Sequence, residues 1–358
     1  MKPIPPGSTI GIVGGGQLGR MTTLAAANLG YKVHIFCANA DSPAAQVCSY
    51  SVIADIHNHS ELERFAREVD VITFENEDIP NDTILFLEKF TVVRPRQQEL
   101  YITHNRLREK QFLHSLNIPT SAHYHITSSL ELTDAHQKLG LHKAILKTTE
   151  LNDADKKYAV IDDTLPDYHA IWTAFDTPHG ILEEYVPFTR EFSIIAARDL
   201  HTNVAFYPPT EYQTVNERFH HSTAPASIPA SITDRANEIT RIILDKLHFV
   251  GICTVEFFLL ENGDLLVNEL TPRLHNSGLW TQDGCVTSQF EQLVRAICGL
   301  PLGSTVCHTH VETQILFDKD AAAWATILKN PKSKLHLYGK HETWEHRRMG
   351  HVNTLTPL

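Results

Sequence analysis

The sequence predicts an α/β fold at the N-terminus and an α+β fold after it, on three observations. A β-branched stretch at residues 8–13 runs into Gly14-Gly15-Gly16, a helical stretch and a second strand at residues 32–36, which is the βαβ opening of a doubly wound sheet. Two apolar runs flank Asn262-Gly263, which is typical of a β-hairpin. Short strand-like runs then follow residue 301. We therefore expect a doubly wound N-terminal domain, a mixed central domain and a small β-rich C-terminal domain.

Length and composition restrict the class of protein. The chain has 358 residues, of which 42% are hydrophobic and 20% are charged, so a soluble globular protein of two to three domains is expected. A net charge of −11 argues against nucleic acid as the main partner, although it leaves room for a local basic pocket. No apolar run approaches the roughly 20 residues that span a bilayer, and the N-terminus has no signal-peptide core. We expect a cytoplasmic protein with no membrane partner.

Cysteine and histidine usage does not indicate a metal centre. The six cysteines form no CxxC pair, so reduced thiols are expected. The 22 histidines include neighbouring pairs, but these pairs lie far apart in sequence and lack a ligand framework. The sequence therefore disfavours a structural zinc site.

The N-terminal glycine loop predicts a site for an anion, without indicating which ligand carries it. Its glycines let the backbone approach a ligand, and the following helix offers free N–H groups. A dinucleotide site would want an acidic residue at the end of the second strand, where the chain has Cys37, so NAD is disfavoured. A further strand at residues 69–74 ends in Glu75 and Glu77. Because ligands of open parallel sheets lie beyond the carboxyl ends of the strands, both glutamates are candidate contacts, and a solvated acidic turn is the alternative.

The central region places charged residues on predicted strands and helices. A helix at residues 104–116 carries Arg106 and Lys110, and a short apolar strand at residues 144–148 carries Lys147. A lysine inside such a strand is costly unless its ammonium reaches a phosphate or an acid, and surface snorkelling is the alternative. The segment 180–197 brackets Tyr185-Val186 with glutamates that could contact a nucleotide base and ribose, or could be edge-strand charges.

The Asn262-Gly263 hairpin predicts a metal site. If these two residues form a type I′ turn, the numbers of two residues paired across the strands add up to 525. Glu256 then faces Glu269. Directly opposed like charges destabilise a sheet, so a divalent cation such as Mg²⁺, a shared proton or Arg273 is needed to offset the repulsion. The alternative is that both glutamates lie at the frayed end of an ordinary hairpin. The polar run after residue 271 favours a functional site.

Eight motifs in order carry a family resemblance. They are GGGQLGRM, TFENE, HNRLREKQFL, ILKTT, ILEEYVPFTREFS, YPPTEY, VEFFLLENGDLLVNELTPRLHNSGLWTQ and RRMGHVN. With them the chain resembles the N5-carboxyaminoimidazole ribonucleotide synthase family of ATP-grasp enzymes over nearly its whole length. The resemblance implies a Rossmann-like pre-ATP-grasp domain at residues 1–103 and an ATP-grasp domain at 104–300 with a small lid subdomain at about 120–186. It also implies a C-terminal domain at 301–358 that is shorter than in relatives.

The resemblance also implies a reaction. ATP would phosphorylate bicarbonate to carboxyphosphate, and the 5-amino group of aminoimidazole ribonucleotide would take up the carboxyl group or released CO₂. The products would be N5-carboxyaminoimidazole ribonucleotide, ADP and phosphate, in purine biosynthesis. The implied cofactors are ATP and Mg²⁺, with Mn²⁺ as a possible substitute, and a cytoplasmic homodimer is implied. Such phosphoryl transfer depends on cations and positioning around the γ-phosphate.

Site residues follow from the resemblance, residue by residue. Four are implied to be catalytic: Glu256, Glu269, Arg273 and Lys147. The two glutamates would hold the metal beside Asn268, and the nucleotide would be bound by Arg106, Lys147, Lys156, Glu183, Glu184, Tyr185, Val186, Glu191, Asn268 and Glu269. Arg273 would neutralise bicarbonate or carboxyphosphate. The ribonucleotide would be surrounded by Gln17, Leu18, Glu75, His275, Asn276 and Ser277, with Arg347 and Arg348 on its 5′-phosphate.

The chain departs from the family pattern in three places. A glycine-rich flap resembling GYDGKGQ is replaced by residues 152–158, where only Lys156 stays in register, and glycine is what lets such a flap aim N–H groups at phosphates. Tyr212 and Thr214 stand where the family has Asn and His, and the C-terminus is short. A catalytically weakened, nucleotide-binding paralogue is therefore one alternative. A dinucleotide-dependent oxidoreductase and an ATP-grasp enzyme that uses formate or another acceptor amine are the others.

Overall fold

The computed structural model describes residues 2–140, 142–150, 157–162, 166–215, 218–342 and 347–358. The chain divides into two compact units. Unit 1 comprises Met1–Glu99, Phe192–Val255 and Thr271–Leu358, and unit 2 comprises Leu100–Glu191 and Glu256–Leu270.

Unit 1 begins with a parallel sheet of strand order β3-β2-β1-β4-β5. Its elements are β1 (Thr9–Val13), α1 (Gln17–Asn28), β2 (Lys32–Cys37), β3 (Tyr50–Ile53), α2 (His59–Arg67), β4 (Val71–Phe74), α3 (Asn81–Leu87) and β5 (Val92–Val93). The chain order reverses between β1 and β4, which is the topological switch point where doubly wound folds bind ligands. This sheet confirms the doubly wound N-terminal domain.

Local sequence explains the first βα turn. β1 is buried from Ile10 to Val13, as expected for a β-branched strand covered on both faces. α1 follows after Gly14, whose φ of +114° is one that L-residues rarely adopt. The turn therefore delivers the N-terminus of α1 to the carboxyl ends of β1 and β4.

Unit 2 is built around a small antiparallel sheet of order β6-β9-β7-β8. The elements from this part of the chain are α4 (Gln97–Thr103), α5 (Arg106–Ser115), β6 (His123–Ile126), α6 (Ser129–Lys138), β7 (Ala144–Thr148), β8 (Tyr158–Ile161), α7 (Tyr168–Phe175) and β9 (Gly180–Glu184). α5 is capped by Asn105, whose side chain accepts hydrogen bonds from the backbone N–H groups of Leu107 and Arg108. An apolar cluster that includes Leu132, Leu146 and Leu182 packs the helices onto the sheet.

The rest of the chain builds a large sheet, which in unit 1 has the order β14-β10-β12-β13-β16-β18-β17, with β11 paired to β10. Its elements are β10 (Arg190–Arg198), β11 (Val204–Phe206), β12 (Thr210–Val215), β13 (Arg218–Ala224), α8 (Ala230–Lys246), β14 (Gly251–Leu259), β15 (Leu265–Thr271), α9 (Thr281–Gly284), α10 (Gln289–Cys298), β16 (His310–Phe317), α11 (Trp324–Ile327), β17 (Ser333–Leu337) and β18 (Arg348–Thr356). Two 3₁₀ turns lie at Asn276–Gly278 and Asp318–Ala323. In unit 2, the distal half of β14 pairs with β15.

Helices of the described ranges are too short or too polar to cross a bilayer.

Candidate active site

Lys147 of β7 meets a buried carboxylate in unit 2. Its Nζ lies 2.9 Å from Glu183 Oε2, and Lys110 Nζ lies 3.4 Å from Glu183 Oε1. The Glu183 side chain is 6% exposed. Burial alone would raise the pKa of Glu183, but Lys147, Lys110 and Arg106 together hold it well below its ordinary value. The interior lysine of the ILKTT strand thus reaches an acid, and its side chain is only 18% exposed, so it is not a surface-snorkelling residue.

Arg106, the first residue of α5, pairs with the second glutamate of the hairpin. Its Nη1 lies 2.9 Å from Glu269 Oε2. Next to this pair, the buried Glu109 accepts a hydrogen bond from the backbone N–H of Leu270 at 3.0 Å. Burial and the neighbouring Glu269 raise the pKa of Glu109 well above its ordinary value. Two of the predicted phosphate contacts, Arg106 and Lys147, therefore lie in one charged cluster of unit 2.

The predicted hairpin turn is wrong in type and register. Leu260 N–H donates to Asp264 O at 2.9 Å and Gly263 N–H donates to Leu260 O at 3.0 Å, so the loop has three residues. Only Gly263 has a positive φ, of +85°, which is the type I turn plus G1 bulge of a three-residue hairpin. In a regular antiparallel ladder that starts from the Leu260–Asp264 pair, the numbers of two paired residues add up to 524. Glu256 therefore faces Asn268 rather than Glu269. Accordingly Asn268 Nδ2 lies 3.4 Å from Glu256 Oε2.

A cleft of about 560 Å³ opens in unit 2 beside this hairpin. It is lined by Glu184, Val186, Pro187, Leu260, Glu261, Asn262 and Leu266. Its volume and its mixture of apolar walls and a few polar groups are typical of small-molecule sites. Lys143 Nζ lies 4.0 Å from the centre of the adjacent Tyr185 ring. Of the residues predicted to bind a base and ribose, Glu184 and Val186 line the cleft, and Glu191 is half-buried at the start of β10 in the same unit.

In unit 1, Glu75 occupies the N-terminus of α1. Its carboxyl oxygens accept hydrogen bonds from Gly16 N–H at 3.2 Å and Leu18 N–H at 3.3 Å. Burial raises the pKa of Glu75, against the effect of Arg273 and these N–H groups. The N–H groups of the glycine loop, predicted to be free for a ligand anion, are instead hydrogen-bonded to a carboxyl group of the protein itself. This occupancy argues further against a dinucleotide phosphate at the loop.

Gly16 is required for this arrangement, because a Cβ at that position would overlap the carboxyl group of Glu75. We expect Gly16→Ala to lower the free energy of unfolding by about 1–3 kcal/mol, the usual cost of overpacking a well-packed site. Urea unfolding of Gly16→Ala, Glu75→Ala and the double variant measures the coupling. In the Glu75→Ala background the substitution should cost much less. Equal costs in both backgrounds would show that the clash lies elsewhere.

Arg273 is clamped by the second acidic residue of the TFENE motif. Its Nε and Nη2 both donate to the Glu77 carboxylate, the latter at 2.7 Å, and its Nη1 donates to Leu274 O at 2.7 Å. Such bidentate pairs fix the plane of the guanidinium. The sequence left two alternatives for Glu77, a ligand contact or part of a solvated acidic turn. In the structure Glu77 is a half-buried partner of Arg273.

The HNSG segment after Arg273 is held by buried hydrogen bonds. His275 Nδ1 lies 2.8 Å from Ser277 Oγ, and Ser277 Oγ lies 2.8 Å from Ser193 Oγ. Gln289 of α10 holds the His275 backbone from both sides, accepting from its N–H at 3.3 Å and donating to its carbonyl at 2.9 Å. Asn276 Oδ1 is buried and has no hydrogen-bond partner among the described residues. Since buried polar atoms are rarely left unpaired, Asn276 is a candidate ligand contact.

Lys340 is a site residue that sequence reasoning missed. Its Nζ lies 3.1 Å from Gln17 Oε1 and 2.8 Å from Arg348 O. Burial and the cationic Arg347 and Arg348 lower the pKa of Lys340 to about 8, against the effect of Glu75. Lys340 therefore belongs with the predicted residues Gln17, Glu75 and Arg348. A signal for it was its position seven residues before the RRMGHVN motif, but nothing in the local pattern distinguishes it from a surface lysine.

A buried network fixes the strands that carry these cations. Asp283 Oδ2 lies 2.7 Å from His336 Nε2 and 2.7 Å from Asn353 Nδ2. His336 stacks on His351 with ring centres 4.4 Å apart, and His351 Nδ1 lies 2.9 Å from Tyr338 OH. The network thus connects α9 with β17 and β18, on either side of Lys340.

Three family models match consecutive parts of the chain. They are the Ribonucleotide synthetase preATP-grasp domain at residues 7–104, the ATP-grasp domain at 111–290 and the Phosphoribosylaminoimidazole carboxylase C-terminal domain at 313–357. Among curated proteins, the N5-carboxyaminoimidazole ribonucleotide synthase of Brucella melitensis is 39% identical over 99% of this chain and 98% of its own length. The chain belongs to the N5-carboxyaminoimidazole ribonucleotide synthase family. It also matches the Bifunctional purine synthesis protein purC/E of Dictyostelium discoideum at 40% identity, spanning 37% of that longer protein.

Solved structures of the N5-carboxyaminoimidazole ribonucleotide synthase family have the same fold. An ADP complex of one synthetase of the family superimposes with a TM-score of 0.94 at 35% identity, covering 99% of this chain and 94% of that one. The enzyme from Aspergillus clavatus in complex with ADP and 5-aminoimidazole ribonucleotide has a TM-score of 0.89 at 26% identity, covering 98% and 94%. These similarities confirm the predicted pre-ATP-grasp, ATP-grasp and C-terminal architecture.

One of the departures from the N5-carboxyaminoimidazole ribonucleotide synthase pattern lies at the HNSG segment. Tyr212 of β12, which replaces the family's Asn, is buried and packs edge-on to His275 with ring centres 6.5 Å apart. Phe219 meets the same histidine at 6.4 Å. Tyr212 therefore helps to hold His275 as a packing group. Of the altered flap, residues 152–156, including Lys156, lie outside the described residues.

Proposed function

We propose that this chain catalyses the ATP- and bicarbonate-dependent carboxylation of 5-aminoimidazole ribonucleotide to N5-carboxyaminoimidazole ribonucleotide, with release of ADP and phosphate. The observation that carries the proposal is that unit 2 contains both the cluster of Arg106, Lys147 and Glu269 and a cleft of about 560 Å³. Cations and carboxylates placed around a nucleotide site are what phosphoryl transfer requires. The reaction belongs to purine biosynthesis.

ATP is assigned to unit 2. The cleft walls Glu184 and Val186 take the base, with Tyr185 between them, and Glu191 takes the ribose. Arg106 and Lys147 are assigned to the phosphates of ATP. In the structure each of them is paired with a carboxylate. Glu183 holds the Lys147 ammonium in place through the ion pair at 2.9 Å.

We infer the Mg²⁺ site from the family resemblance, because the register that places Glu256 opposite Asn268 removes the opposed pair of carboxylates from which the sequence predicted it. Glu256 and Glu269 are both half-buried, and the Asn268 amide lies beside Glu256. Within the described ranges, no three His, Cys, Asp or Glu side chains form a group that could hold a metal, and Mg²⁺ in nucleotide sites typically uses one or two carboxylates plus waters and phosphates. Glu256 and Glu269 would hold the ion, and Mn²⁺ is compatible with the same oxygen donors. When bound, the ion neutralises charge on the nucleotide phosphates.

The ribonucleotide is assigned to unit 1. Lys340, Arg347 and Arg348 supply the positive charge that a 5′-phosphate requires, and Gln17, Leu18, Glu75, His275, Asn276 and Ser277 surround the rest of the molecule. Arg273 takes bicarbonate or carboxyphosphate, with its guanidinium plane set by Glu77. We further propose that the protein works in the cytoplasm, which its six free cysteines support. The resemblance to its family supports a homodimer.

The decisive experiment is a phosphate-release assay with purified protein. Phosphate release from ATP is expected only when bicarbonate and 5-aminoimidazole ribonucleotide are both present. In a second protein, residues 152–158 are replaced by the glycine-rich GYDGKGQ sequence. The difference in phosphate release between the two proteins gives the effect of the altered flap. ATP binding without such release, in both proteins and at high enzyme concentration, would overturn the proposal.

Titration of Lys340 should appear in the pH dependence. Its pKa of about 8 lies below the ordinary lysine value, so the ammonium is lost as pH rises through about 8. The groups that face it are Glu75, Arg347 and Arg348. The value of kcat/KM for 5-aminoimidazole ribonucleotide should therefore fall above pH 8, while KM for ATP stays level. In Lys340→Arg, whose guanidinium stays charged, the fall should disappear; a fall that persists in this variant would assign it to another group.

A further inference from the structure

Two cysteines of unit 1 face each other across a short antiparallel bridge. Cys285 follows α9 and Cys307 precedes β16, and the two residues form a bridge outside the named strands. Val286 N–H donates to Val306 O at 3.0 Å and His308 N–H donates to Gly284 O at 2.9 Å. Because the hydrogen bonds join the flanking residues, Cys285 and Cys307 are a non-hydrogen-bonded pair, in which Cα atoms lie about 4.5 Å apart and side chains are closest.

That separation suits a covalent link. Disulfides bridge Cα atoms about 4.4–6.8 Å apart, and the separation expected for such a pair lies at the short end of that range. The two thiols already interact, since a hydrogen bond from Cys285 lowers the pKa of Cys307 to about 7, while that bond and burial raise the pKa of Cys285. Cys285 is 7% exposed, whereas Cys307 is half-buried. The more accessible cysteine is thus Cys307, whose Sγ lies 2.8 Å from the Thr309 carbonyl oxygen, and its accessibility favours it as the thiol that reacts first.

We propose that Cys285 and Cys307 are a redox modification site that forms a reversible intramolecular disulfide by exchange with a low-molecular-weight disulfide such as oxidised glutathione. The Cys307 thiolate attacks one glutathione sulfur, which breaks the S–S bond and releases one glutathione thiolate. Cys285 then loses its proton to solvent and attacks Cys307 Sγ, which expels the second glutathione. Two protein thiols are oxidised and one glutathione disulfide is reduced to two thiols. Excess reduced glutathione reverses both steps.

The link would close the segment from residue 285 to 307, which contains α10. Gln289 of α10 holds the His275 backbone from both sides, so the oxidation state acts on the helix that supports the HNSG segment. A cross-link also restricts the unfolded chain. The oxidised protein should therefore unfold at a higher urea concentration than the reduced protein. This inference does not depend on the proposed reaction.

The test uses the full chain in glutathione buffers from fully reduced to fully oxidised. Free thiols and intact mass are measured, and disulfides are mapped by proteolysis under acid quench. The wild type should fall from six thiols to four, lose two hydrogens in mass and yield one peptide pair linked through Cys285 and Cys307. Reduced glutathione should restore six thiols.

Single variants separate the two steps. Cys285→Ser should retain one glutathione on Cys307, because the resolving thiol is gone, and Cys307→Ser should form neither the mixed nor the internal disulfide. Cys48→Ser is the matched control, since Cys48 is also half-buried but lies on another part of unit 1, and it should behave as the wild type. Cys285→Ala and Cys307→Ala replace any serine variant that fails to fold. Six thiols persisting in oxidised wild type, or a disulfide through Cys37 and Cys48 or between chains, would overturn the proposal.

Discussion

Glu269→Gln is expected to lower kcat for phosphate release by about 10²–10³-fold, the range found when one pre-organised charge-stabilising group is removed from an active site. The substitution keeps the shape of the side chain but removes the charge that faces Arg106 at 2.9 Å and half of the carboxylates assigned to Mg²⁺. Glutamine can still accept a hydrogen bond from Arg106, so the chain should remain folded. Steady-state phosphate release and urea unfolding measure the two effects separately.

The matched control for this prediction is Glu238→Gln on the exposed face of α8, which changes the net charge equally and lies outside the candidate site. Its kcat should equal that of the wild type. A second readout is the Mg²⁺ concentration for half-maximal activity, which should rise in Glu269→Gln and not in the control. Unchanged turnover in Glu269→Gln would show that the hairpin carboxylate is structural.

Glu183→Gln is expected to lower the free energy of unfolding by about 3–5 kcal/mol, which is the effect of removing one partner from a buried ion pair. Lys110 is 2% exposed at its side chain and would lose the carboxylate that compensates its charge. Lys147 would lose the same partner, so the affinity for ATP should fall as well. Urea unfolding and nucleotide binding by calorimetry check the two effects.

The pH dependence of stability has a defined sign. The pKa of Glu183 is held below its unfolded value, so the stabilisation is present above the ordinary carboxyl pKa of about 4.3 and is lost as pH falls through the folded value. Wild type should therefore lose its stability advantage over Glu183→Gln below about pH 4. Glu184→Gln is the control for stability, because the neighbouring carboxylate is exposed, and its unfolding should match the wild type. Similar losses in both variants would contradict the buried-pair account.

Local patterns were sufficient for much of the fold. β7 was predicted at the residues where it is found, 144–148, and a helix follows the glycine loop as predicted. Both follow from burial and from glycine, which act within a few residues. The hairpin failed because the Asn262-Gly263 dipeptide fits both a two-residue loop and the last two positions of a three-residue loop. The three-domain boundaries stay a prediction.

Pairings between distant residues were beyond local patterns. Arg273 and Glu77 lie 196 positions apart, and nothing in either motif says that one clamps the other. Lys110 and Lys147 share Glu183 because α5 and two strands converge on it. Family resemblance supplied the list of site residues, but it did not indicate that their charges are already paired in the protein. The assignment of individual residues to ATP, metal and ribonucleotide stays a prediction.

The Glu75 carboxyl group that fills the N-terminus of α1 has a consequence for how a ligand would enter unit 1. The partial positive charge at a helix N-terminus normally attracts phosphate, and here that attraction is already satisfied by Gly16 and Leu18 N–H groups bound to Glu75. A phosphorylated molecule is left with Lys340, Arg347 and Arg348 as its source of attraction in this region. We therefore expect the charged end of the ligand to lie away from the glycine loop and its uncharged end to lie beside it. One internal carboxyl group would then set the ligand's direction of binding.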